Sequence, residues 1–89
     1  MPLREIVQDS LFTQDFEMYR RNYSEMDHIY AAMVRDIQEQ PSIGVVLNET
    51  FWDYRVYLTQ LVGNAPAFNV MYRYDTEHIY LYSIKKLDF

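Results

Sequence analysis

Apolar residues recur at helical spacing in the first half of this 89-residue chain and at spacing two in the second half. This change of period predicts an α+β fold. The expected order is an N-terminal strand, a helical hairpin, and an antiparallel three-stranded meander, in two layers. Val45-Val46-Leu47 adds a fourth, edge strand if it pairs. The length fits one domain over residues 1–89.

Each element has a local cause. Residues 3–8 hold the β-branched pair Ile6-Val7 and are short enough to be a strand. Asp9 or Ser10 then offers a side-chain oxygen to the free N–H groups of a first helical turn. Phe12, Phe16, Tyr19 and Tyr23 follow at spacings of one helix face. Asn22-Tyr23-Ser24 breaks that helix, and Ser24 with Asp27 forms a capping box for a second. Met26, Ile29, Tyr30, Met33, Val34 and Ile37 make its stripe, which Pro41 ends.

From Phe51 to Val62 the even positions are mainly apolar, so Val56 and Leu58 are expected to face the helices. Gly63-Asn64-Ala65-Pro66 makes a turn. Phe68, Val70, Tyr72 and Tyr74 then alternate with Asn69, Met71, Arg73 and Asp75. After Asp75-Thr76-Glu77, the run His78–Ile84 is rich in strand formers on both faces, so its inner face is not read from pattern. The expected core is Phe12, Phe16, Ile29, Met33, Ile37, Val56, Leu58, Phe68, Val70, Tyr72 and Leu81.

Charge limits the function. The net charge is −5, with −4 in residues 1–40 and −1 in residues 41–89. An acidic chain argues against a general nucleic-acid binder, whose surface is normally basic. With no cysteine there is neither a disulfide framework nor a thiolate metal site. His28 and His78 have no zinc-type spacing, and no metal or cofactor is expected. The carboxylate pairs Glu49/Asp53 and Asp75/Glu77 flank turns and read as solvated. No basic start leads into an apolar run at the N-terminus, and no stretch approaches the ~20 apolar residues of a membrane span. The cytoplasm is the expected compartment.

The basic residues of the second half form the candidate site. If Val56 and Val70 face the helices, Arg55, Tyr57, Asn69, Met71 and Arg73 share the opposite sheet face, with Lys85 and Lys86 at its end. Arginine and tyrosine on one sheet face can hold phosphates and stack bases. The same residues also serve as ordinary cover for a solvated sheet face. Six of the nine tyrosines lie in this half, and tyrosine is enriched at protein interfaces.

Three strings carry a resemblance: Trp52-Asp53-Tyr54-Arg55-Val56-Tyr57-Leu58, Ala67-Phe68-Asn69-Val70-Met71-Tyr72-Arg73-Tyr74-Asp75, and Ile79-Tyr80-Leu81-Tyr82-Ser83-Ile84-Lys85-Lys86. With the order of elements, the chain resembles the RelE/ParE toxin superfamily, as a divergent, acidic member. The resemblance implies a toxin–antitoxin-type protein whose ribonuclease relatives position mRNA with basic side chains. By position it places Arg55 and Lys85-Lys86 at basic sites of the family. Tyr57 stands where a second basic residue is usual, and Asn69 where the family has arginine. Asparagine can donate a hydrogen bond but brings no charge to a phosphate. These two departures and the −5 charge weigh against an active ribonuclease. The alternative expectation is a non-enzymatic protein-interaction module that keeps the fold. Its partner would be an antitoxin-like protein or a second copy in a homodimer; RNA or the ribosome is disfavoured by the net charge, and no membrane is involved.

Overall fold

A computed structural model describes residues 3–47 and 53–87. The elements are β1 (Glu5–Gln8), α1 (Ser10–Asn22), α2 (Met26–Glu39), a 3₁₀ turn (Pro41–Ile43), β2 (Val45–Val46), β3 (Arg55–Leu58), β4 (Phe68–Tyr74) and β5 (His78–Lys86). The fold is the expected α+β arrangement. Phe51, Trp52 and Glu49 lie outside the described residues, so the proposed first part of β3 and the Glu49/Asp53 pair are not described.

The five strands form one sheet in the order β1-β5-β4-β3-β2. The last four make an antiparallel meander, including the edge strand at Val45-Val46. β1 joins parallel to β5, with Ile6 opposite Ile79, so the sheet is mixed. Parallel pairing is possible because the two helices carry the chain across between the strands.

Asp9 caps α1, its Oδ1 accepting from Leu11 N at 3.0 Å. The expected Ser24 capping box does not form. Glu25 is the N-cap of α2, with no side-chain cap bond. Its carboxylate instead accepts from Asn64 N at 2.9 Å and ties α2 to the β3–β4 loop. Gly63 in that loop has φ 57°, and a Cβ there would meet Glu25 Oε2 at 2.5 Å, so glycine fits on both counts.

The core lies between the helices and one sheet face. Phe12, Phe16, Met26, Ile29, Met33 and Ile37 come from the helices, and Phe68, Val70, Tyr72, Ile79, Leu81 and Ile84 from β4 and β5. Phe68 is fully buried, with the Tyr19 ring edge-on at 4.8 Å. Burying such a ring contributes about 1.5–3 kcal/mol.

Two expectations about the faces are corrected. Tyr57 pairs with the fully buried Val70, and paired residues share a face, so Tyr57 points to the helices and is buried. Arg55, two residues away and opposite Tyr72, lies on that side too. Val56 and Leu58 therefore point outward and are not core; Leu58 is 59% exposed. The apolar even positions of β3 cover the outer face, while the odd positions insert side chains with polar tips that find partners inside. The inner face of β5 switches parity from Ile79 and Leu81 to Ile84. A bulge accounts for this, because Tyr72 pairs with Leu81 while Met71 pairs with Ser83, leaving Tyr82 extra.

Candidate functional site

The seven candidate residues do not form one patch. Asn69, Met71, Arg73 and Lys85 belong to the outer face, whereas Arg55 and Tyr57 belong to the helix side. Lys86 pairs with the buried Phe68, and its backbone N donates to the Tyr19 hydroxyl at 3.0 Å.

The inward pair is used structurally. Arg55 Nη1 donates to the carbonyl oxygens of Ser42 and Gly44, at 3.1 and 2.8 Å, and so fastens the segment before β2. The Tyr57 hydroxyl donates to Asp36 Oδ2 at 2.6 Å. Burial, reinforced by this bond, pushes the Tyr57 phenol up to about 12, so it is neither a base nor a nucleophile near neutral pH. Tyr57 also lines a groove of about 360 Å³ between α2 and β3, with His28, Met33 and Thr59. Tyr72 completes the anchoring of the same segment: its hydroxyl donates to Pro41 O at 2.6 Å and accepts from Gly44 N at 2.9 Å.

The outward cations are occupied as well. Arg73 Nε donates to the Tyr82 hydroxyl at 2.8 Å, its guanidinium lies 4.9 Å from the Tyr80 ring centre, and Nη1 is 4.0 Å from Asp53. The Tyr82 hydrogen bond is the main reason its guanidinium holds its proton more tightly than usual. Lys85 Nζ sits 2.7 Å from Asp15 Oδ2, and that bond raises the ammonium above its ordinary value. A phosphate-binding face requires cations that are free to exchange counterions for phosphate. These two already have protein partners.

The outer face of β2–β4 is instead apolar. Val45, Leu47, Val56, Leu58 and Asn69 line a depression of about 320 Å³. Beside it Leu47, Tyr54, Met71 and Tyr82 line another of about 260 Å³, with Tyr54 and Tyr82 packed edge to face. Val45 is 75% exposed and Leu58 59%. Within this face Asn69 Oδ1 is buried without a hydrogen-bond partner among the described residues. A buried acceptor left unsatisfied costs about 1–3 kcal/mol.

Sequence reasoning overlooked this depression, although the uncharged run Ile43–Leu47 carries a usable signal. Edge strands are normally protected by charge or proline, and Val45-Val46 has neither. It also overlooked Arg4, whose guanidinium lies over the Tyr74 ring. A single arginine ahead of a short strand gives no pattern to read. Among the described residues, no group of three His, Asp or Glu is placed to hold a metal, and no helix is long and apolar enough to cross a membrane. No family model, curated protein or solved structure matches the chain.

Proposed function

We propose that this protein is a non-enzymatic protein-interaction module that self-associates through the outer face of β2–β4. One observation carries the reading: exposed aliphatic side chains gather on a sheet face whose flanking cations, Arg73 and Lys85, are already paired. Exposed apolar patches of this kind mark interaction sites. The favoured partner is a second copy of the chain. Copies carrying −5 each repel one another, and the uncharged run Ile43–Leu47 is where that repulsion is least. A two-fold contact also sets the same apolar surface against itself.

The order of a strand, two helices and a terminal meander supports the RelE/ParE resemblance, and we read the chain as a divergent member of that superfamily that has given up ribonuclease chemistry. Sedimentation of the purified protein should give a dimer, and labelled single-stranded RNA should stay unbound at about 150 mM salt. A monomer that cleaves or shifts RNA, and arrests growth when expressed in bacteria, would overturn this reading. A monomer that dimerises only with an antitoxin-like protein would replace the second copy with that partner.

A further inference from the structure

We propose that Arg4, Arg55 and Tyr74 form a binding site for a phosphate group on the helix side of the sheet, opposite the apolar face. Tyr74 pairs with the buried Ile79, so its ring lies on the inner side at the end of β4. The Arg4 guanidinium carbon is 5.4 Å from the centre of that ring and that of Arg55 is 5.9 Å away. Both lie within the range of a cation–π contact, and both arginines are half-buried. Two cations thus share one aromatic ring.

Neither arginine has a carboxylate partner among the described residues. Arg4 Nε donates to the Asp75 carbonyl at 2.6 Å, and Arg55 Nη1 to those of Ser42 and Gly44. Backbone carbonyls fix the two forks without neutralising them. The nearby Asp75 carboxylate is engaged elsewhere: Oδ1 accepts from the N–H groups of Glu77 and His78, and Oδ2 from the Tyr80 hydroxyl. Arg20, Arg35, Arg73 and Lys85, in contrast, each have a carboxylate within 4.0 Å. Arg21 also lacks one, but it stands exposed on α1 with no second cation on a shared ring.

In a chain with 13 acidic residues, two uncompensated guanidiniums on one ring call for an external anion. The outer nitrogens of Arg4, with Nε and Nη2 of Arg55, remain as donors. Planar guanidinium forks match the oxygens of a phosphate, and charge-assisted bonds to it are the strong kind. Tyr74 holds the two forks in place, which lowers the ordering cost of binding. The site is independent of the self-association reading, because it uses the other face of the sheet.

The test is an amide and arginine Nε NMR titration of the full chain with inorganic phosphate and, separately, with glycerol phosphate, at ionic strength matched by sodium chloride. Saturable shifts confined to Arg4, Arg55, Tyr74 and their neighbours are expected. Binding of both ligands assigns the site to phosphomonoesters, and binding of inorganic phosphate alone assigns it to the free ion. Arg4→Gln should weaken binding about tenfold. Arg55→Lys, which keeps the charge but loses the fork, should weaken it while the other amide positions are retained. Arg21→Gln should leave it unchanged. No saturable shift, or equal affinity in Arg4→Gln and the wild type, would overturn the proposal.

Discussion

The two faces of the sheet obey the same alternation and end in opposite states. On the helix side, polar tips that enter the core are met: Tyr57 by Asp36, and Tyr72 by Pro41 and Gly44. On the outer side Leu58 and Val45 stand in solvent and Asn69 Oδ1 has no partner among the described residues. Folding alone therefore explains the buried polar tips of the inner face, whereas the outer face carries apolar cover that the monomer does not use. That contrast is the physical basis for assigning the outer face to a partner.

The contrast predicts a hierarchy of effects. Phe68→Ala empties a fully buried site and should cost about 3–5 kcal/mol in denaturant unfolding, enough to leave so small a domain barely folded. Leu58→Ala, across the sheet, should change monomer stability by no more than about 0.5 kcal/mol. Tyr72→Phe removes both bonds to the segment before β2 and should cost about 1–3 kcal/mol, with amide exchange rising at Gly44.

A pH effect follows from Tyr57. The folded state holds the phenol's proton more tightly than the unfolded chain, where tyrosine ionises near 10, so the contribution is whole below pH 10 and is lost as pH rises toward about 12. Absorbance titration should show a tyrosine ionising near pH 12 that is missing in Tyr57→Phe. The smallest effect concerns Asn69. Asn69→Leu removes an acceptor that has no partner among the described residues and should leave thermal stability unchanged or slightly raised. A marked loss would mean that this acceptor is satisfied in solution.

The sequence made the helices legible, because each has one apolar stripe and a stop signal in Asn22-Tyr23-Ser24 or Pro41. β4 was equally clear, since only its even positions are uniformly apolar. β3 was misread because Val56 and Leu58 look like core, whereas Tyr57 earns its buried place through a hydroxyl bond to Asp36, 21 residues away. In β5 the bulge at Tyr82 breaks the period that pattern reading depends on. Of the candidate site, the split of Arg55 and Tyr57 from Asn69, Met71 and Arg73 follows from that single parity error. Arg4 was invisible because Tyr74, which it meets, is 70 positions later in the chain.

The most direct test is light scattering on the wild type and Leu58→Glu across a concentration series. The wild type should approach twice the 10.8 kDa monomer mass, and Leu58→Glu, folded by circular dichroism, should remain monomeric. A wild type that stays monomeric at every concentration, or a Leu58→Glu dimer as tight as the wild type, would contradict the assignment of the outer face.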